Sequence, residues 1–147
     1  MSATGEQEPR AGAQRGTTLI EALVVVAITA LVSLVGFPRL QQGLLTLAQR
    51  QTAAVVAARL EETRADAMRA DGRAVFAIAA DGRGFGASSG AGARIPSGLR
   101  LVARPLAAIA FHGDGSSSGG SIRVVGGGRA VAIHVASTTG VVTVVSE

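Results

Sequence analysis

The 147-residue sequence has no cysteine, no lysine, no tryptophan and no tyrosine. Without cysteine there is no disulfide framework and no thiolate zinc site. Without lysine every basic side chain is a guanidinium. Only four phenylalanines supply aromatic surface, so a core must be built from Val, Ala, Leu and Ile. Charge is also sparse: 16% of residues are charged, and the formal net charge of +4 is spread along the chain. Such a balance is weak evidence for a nucleic-acid partner. The length suits one compact domain with an appendage and leaves little room for two cores.

What the sequence does contain is a long apolar run. From Leu19 to Phe37 the single charge in 19 residues is Glu21. A helix needs roughly 20 such residues to cross the hydrocarbon layer. Arg10 and Arg15 lie just upstream, which places the N-terminus in the cytoplasm and the remainder across the membrane. A cleaved secretory signal needs a shorter apolar region and a small-residue site after it. "LVSLVGFPRL" supplies a poor one, so the reading is a retained single-pass anchor. A carboxylate inside a bilayer needs a partner or a proton, and no arginine lies within the run. A cut between Gly16 and Thr17 would create a new α-amine four residues before Glu21. In a helix those two positions share a face, and an ammonium from the same or a neighbouring chain would offset the carboxylate.

"RGTTLIEALVVVAITALVSLVGFPRL" resembles the N-terminus of type IV pilins and pseudopilins. The resemblance implies a leader, residues 1–16, removed by a prepilin peptidase that cuts between Gly16 and Thr17 and N-methylates Thr17. Counted from Thr17, Glu21 is the fifth residue and Pro38 the twenty-second, the positions at which that family carries Glu and Pro. Thr17 departs from the family's usual Phe. Residues 17–38 would form the transmembrane segment, with Glu21 and Pro38 serving assembly.

Beyond Pro38 the helical spacing continues through "LQQGLLTLAQRQTAAVVAARLEETRADAMRADG". Pro38 removes one backbone donor and would kink the helix without ending it. Leu44, Leu47, Val55, Ala58 and Met68 recur at helical intervals, as an apolar face should. Glu61 with Arg64 and Asp66 with Arg69 stand at i,i+3. Asp71-Gly72 reads as a stop with Gly as the C-terminal cap. The helix is expected from about Thr17 to about Ala70, residues 39–71 being its amphipathic continuation.

From residue 72 the pattern becomes β. "RAVFAIAADGRGFGAS" reads as two short strands around the Asp81-Gly82 turn, and "GARIPSGLRLV" as a loop leading into a strand. Further strands are expected at 107–111, 121–125, 129–136 and 140–146. Ile122, Val124, Val131, Ile133, Val135, Val142 and Val144 alternate as strands with one buried face do. The short connections predict antiparallel pairing. The class is therefore α+β: a long N-terminal helix packed on an antiparallel sheet domain, residues 72–147.

"FHGDGSSSGGSIRV" followed by "AIHVASTTGVVTVV" looks like the C-terminal signature of the GspH/FimT group of minor pilins. This resemblance implies a minor pseudopilin of a type II secretion system, a structural subunit in the tip region of a periplasmic pseudopilus. It implies other major and minor pseudopilins, the prepilin peptidase, an inner-membrane assembly platform and inner-membrane lipid as partners, with no cofactor. The protein would sit in a bacterial inner membrane with its C-terminal domain periplasmic. The alternative is a minor pilin of a type IV pilus or DNA-uptake machine. FimT-like members use arginines of the final hairpin to grip DNA. Here Val141 and Thr143 stand at such positions, with Arg123 and Arg129 nearby but no interleaved aromatics, which argues against DNA as a partner.

Chemistry-bearing residues elsewhere form no convincing active site. His112, Asp114 and Ser116 to Ser118 have the types of a hydrolytic triad, but they crowd one glycine turn and lack a positioned base and an oxyanion hole. "GDGSSSGG" is not followed by a helix opening with Lys-Ser/Thr, so the phosphate-loop pattern fails. Asp114 alone is too little for calcium. His134 should point opposite to Ile133 and Val135, toward solvent. The expectation is no enzyme and no metal.

Overall fold

The computed structural model describes residues 18–147 except Ser89, Gly128 and Glu147, and only the backbone of Arg129. It consists of one helix, α1 (Leu19–Arg69), and eight strands: β1 (Arg73–Ile78), β2 (Gly84–Ala87), β3 (Ala93–Arg94), β4 (Arg100–Arg104), β5 (Ala108–His112), β6 (Gly120–Gly126), β7 (Arg129–Val135) and β8 (Val142–Ser146). The chain divides into two units, one ending at Pro38 and one running from Arg39 to the C-terminus.

In the second unit the strands form two four-stranded antiparallel sheets, in the orders β3-β2-β1-β5 and β4-β6-β7-β8. The first is closed by a long-range pairing, β1 with β5, which sets Phe76 opposite Ile109 and Ala74 opposite Phe111. The second is a plain meander from β6 to β8, with β4 added beside β6. The β1–β2 turn falls at Asp81-Gly82, as its sequence predicts. Gly82 has φ +67°, and a Cβ there would lie 2.7 Å from the Leu101 carbonyl oxygen, so both the turn and the approach of β4 require glycine.

One core lies among the second half of α1 and the two sheets. The helix contributes Ala53, Val56, Ala57, Leu60 and Ala67, the first sheet Phe76, Phe85, Ile109 and Phe111, and the second Leu101, Ile122, Val124, Val131, Ile133 and Val135. Phe76 and Phe85 stack at 5.6 Å between ring centroids. Burying such aromatic and branched side chains contributes about 1.5–3 kcal/mol each.

Two features of the helix differ from the sequence expectation. Leu44, Leu47 and Val55 are 60%, 53% and 57% exposed, and Ala58 and Met68 are exposed too. The buried face is instead Gln49, Thr52, Ala53, Val56, Ala57, Leu60, Thr63 and Ala67. Small residues let the backbone of α1 come close to the sheets, and the polar ones are buried with partners. Thr52 and Thr63 donate to the carbonyls of Ala48 and Arg59 at 2.8 and 2.7 Å, and Gln49 Nε2 donates to the Gly126 carbonyl. Of the expected ion pairs, Asp66–Arg69 forms at 2.7 Å. Arg64 instead donates from Nε to the Gly115 carbonyl at 3.2 Å, a bond into the sheet domain. The helix also ends differently in detail. Gly72 N–H reaches the Ala67 carbonyl at 3.0 Å and Asp71 N–H the Met68 carbonyl at 3.3 Å, the paired bonds of a Schellman cap. It is Asp71, at φ 45°, that takes the left-handed position, not Gly72.

The last strand departs as well. Val142 is half-buried, but Val144 is 47% exposed, because β8 is an edge paired only with β7 and lies beyond the core.

Candidate functional site

The first described turn of α1 carries the residue that the sequence singles out. Thr18 precedes the helix, its carbonyl accepts from Ala22 N–H at 3.1 Å, and its Oγ1 accepts from Glu21 N–H at 3.3 Å. Thr18 is thus the N-cap and Glu21 the third helical residue, the T-x-x-E spacing of a capping box. A carboxylate in the first turn also complements the positive end of the helix macrodipole. Sequence reasoning explained Glu21 through a neighbouring amine and missed this local signal, which "TLIE" carries outright. Gly16 and Thr17 lie outside the described residues.

From Leu19 to Phe37 the apolar side chains are exposed in this unit, Leu19, Ile20, Leu23, Val26, Leu31 and Leu34 among them. The helix is long and apolar enough to cross a membrane, with a mean hydropathy of 2.5 over its best window. Its two hydroxyls are tied inward. Thr29 Oγ1 donates to the carbonyls of Val25 and Val26 at 2.8 and 2.9 Å, and Ser33 Oγ to that of Thr29 at 2.7 Å. Polar groups satisfied within the segment are what a lipid environment demands. One long apolar N-terminal helix of this kind is consistent with a single-pass anchor. Pro38 lies inside α1, at the end of the first unit.

The turn that might have held a nucleophile is a structural knot. Ser116 donates to Asp114 Oδ1 from both Oγ (2.6 Å) and backbone N (2.9 Å). Ser117 Oγ donates to the Ala136 carbonyl at 2.9 Å, and Ser118 Oγ accepts from Ala110 N–H at 3.1 Å. The three hydroxyls stitch the loop to itself and to its neighbours, and no printed bond joins any of them to His112. The Ser116 hydroxyl and amide hold the Asp114 carboxyl below the usual range, with the charge of His112 adding to the effect. Among the described residues, no group of three or more His, Asp and Glu side chains could hold a metal ion. His134 is exposed, on the face of β7 opposite to Ile133 and Val135.

At the sequence level the chain matches no family profile and no curated protein. Solved structures do match. The type IV minor pilin FimU of Pseudomonas aeruginosa superposes with a TM-score of 0.57 at 13% identity, over 66% of this chain and 87% of that one. The fold is that of minor pilins. The minor pseudopilin EpsH from the Type 2 Secretion System of Vibrio cholerae shares it, with a TM-score of 0.56 at 12% identity over 67% and 96% of the two chains. The minor-pilin fold accounts for the helix that begins apolar and ends buried against antiparallel sheets. At such identity the likeness concerns the fold, and it is equally good for a pilin and a pseudopilin.

Proposed function

We propose that the chain is a minor pseudopilin of a type II secretion system, a structural subunit near the tip of a periplasmic pseudopilus that supports protein export. The observation that carries this reading is the combination of the minor-pilin fold with an exposed apolar helix whose only charge is in its first turn. A folded domain with that segment unpartnered is built to wait in a bilayer and then assemble. On this reading a prepilin peptidase cuts between Gly16 and Thr17 and methylates the Thr17 amine. The apolar helix sits in the inner membrane with the second unit in the periplasm, and major and minor pseudopilins draw it into the filament on an assembly platform. Glu21 neutralises the neighbouring subunit's terminal ammonium, and Pro38 relaxes the helix where it leaves the lipid. The match to FimU keeps a second reading, a minor pilin of a type IV pilus or DNA-uptake machine.

The test separates the two roles open to Glu21. Glu21→Gln keeps a side chain that serves a capping box but removes the charge. Glu21→Ala removes both. A buried ion pair that loses one member costs on the order of 3–5 kcal/mol. Both variants should be inserted and shortened by sixteen residues on intact-mass measurement, and neither should enter sheared filaments. Normal incorporation of Glu21→Gln would leave Glu21 a cap only and sink the pairing role. Deletion of the protein should abolish export of folded proteins on the pseudopilin reading, and DNA uptake or pilus extension on the second.

A further inference from the structure

The outward face of the second sheet carries only basic and neutral side chains. No Asp or Glu occurs anywhere in β4, β6, β7 or β8. In one cross-strand row Arg104 stands opposite Ser121, which stands opposite His134; in the next, Val102, Arg123 and Ala132 are aligned. Neighbouring strands lie about 4.8 Å apart, so Arg104 and His134 flank Ser121 with about twice that between their backbones. Arg104, Arg123 and His134 are exposed, whereas Ala132, on the same face, is 1% exposed because the longer side chains overhang it.

The result is a hollow of about 280 Å³, floored by Ser121 and Ala132 and walled by Val102, Arg104, Arg123 and His134. A second hollow of about 650 Å³ adjoins it at the β4 end. It shares Arg104, Ser121 and His134 and extends past Pro105 and Gly120. Gly120 (φ +143°) is needed there, since a Cβ would come within 2.9 Å of the Arg104 carbonyl oxygen. The two hollows form one groove across the sheet, with guanidiniums of two strands converging on it.

We infer that this groove binds an acidic peptide segment of a protein partner, with Arg104 and Arg123 gripping its carboxylates. Guanidinium forks match carboxylates bidentately, and such charge-assisted bonds are the strong ones. The apolar walls, Val102 and Pro105, suit the carbon stems of a peptide. Nucleic acid fits less well. Single strands are held by aromatic platforms, and Phe76, Phe85 and Phe111 are all buried while Tyr and Trp are absent. The cations also converge on one groove and do not track along a backbone.

The inference does not rest on filament assembly, and its test is carried out on individual full-length chains in detergent micelles. Fluorescein-labelled hexaglutamate, hexaglutamine and an oligothymidylate of matched charge are titrated by anisotropy at physiological salt. Hexaglutamate should bind and hexaglutamine should not. Arg104→Ala and Arg123→Ala should each weaken binding by about tenfold, the loss of one charge-assisted contact. Arg123→Lys, which keeps the charge, should fall between, and circular dichroism should show all variants folded. Arg73→Ala, an exposed arginine on the other sheet, should change nothing. Equal loss from Arg73→Ala would reduce the effect to bulk charge and overturn the site. Tighter binding of the oligothymidylate, lost with the same arginines, would make the groove a nucleic-acid site and overturn the peptide reading, as would no binding of hexaglutamate.

Discussion

Asp71 shows how much a single backbone position can hold. It closes the helix in a left-handed conformation that costs most L-residues about 1–2 kcal/mol, although Asp tolerates it better than most. Gly72, which the sequence offers as the cap, is the next residue along and donates the longer-range bond of the same motif. Both residues are helix stoppers, and spacing alone does not say which of two adjacent ones carries the positive φ. Asp71→Gly should therefore stabilise the second unit by about 0.5–1 kcal/mol, a gain reduced by the greater freedom of glycine in the unfolded chain. Thermal melts of the two proteins would check this, and a lower melting temperature for Asp71→Gly would show that the Asp71 side chain contributes more than its backbone costs.

At the scale of elements, α1 separates hydropathy from burial. Its termini were legible: the apolar run, Thr18 before it and Asp71-Gly72 after it bound the observed Leu19–Arg69. Its facing was not. Leucine and valine at helical spacing mark Leu44, Leu47 and Val55 as the packing stripe, yet the sheets select the alanine and threonine side, because only small residues allow the approach. The strands fared similarly. β1, β2, β5, β6 and β7 lie within a residue or two of their expected positions, since alternation and glycine turns are local signals. The pairing of β1 with β5 spans more than thirty residues of chain and divides the strands into two sheets, which no local pattern announces. The basic groove was invisible for the same reason: Arg104, Arg123 and His134 are scattered in sequence and meet only through cross-strand register. The helix assignment has a direct check. Leu60→Ala should destabilise the second unit by about 2–5 kcal/mol, as a large-to-small change in a core does. Leu47→Ala should stay within about 0.5 kcal/mol. Chemical denaturation of both variants measures the contrast, and equal losses would reverse the assignment of the two faces.

At the scale of the whole molecule, the division at Pro38 separates a segment with no buried residue from one that contains the core. A chain beginning at Arg39 keeps every core residue and both bonds that tie the helix to the sheets, Gln49 to Gly126 and Arg64 to Gly115. It should fold and remain in solution without detergent, with a circular-dichroism spectrum rich in β structure and a cooperative melt. The full chain should need detergent or lipid to stay dispersed. Aggregation of the shortened chain on sedimentation would show that Leu44, Leu47 and Val55 require cover even in the isolated unit.

The alanine-lined inner face of α1 also sets what substitutions the protein can accept. Ala53 and Ala57 lie against the sheets, so an added methylene at either has nowhere to go and costs about 1–3 kcal/mol. Leu44, Leu47 and Val55 border open space and can change size freely in a lone subunit. Related sequences aligned on this helix should therefore vary most where hydropathy is highest and least where the side chains are smallest, unless a partner also reads the outer stripe. The pattern of tolerated exchange along residues 44–67 is thus a record of what the second face of the helix touches in the cell.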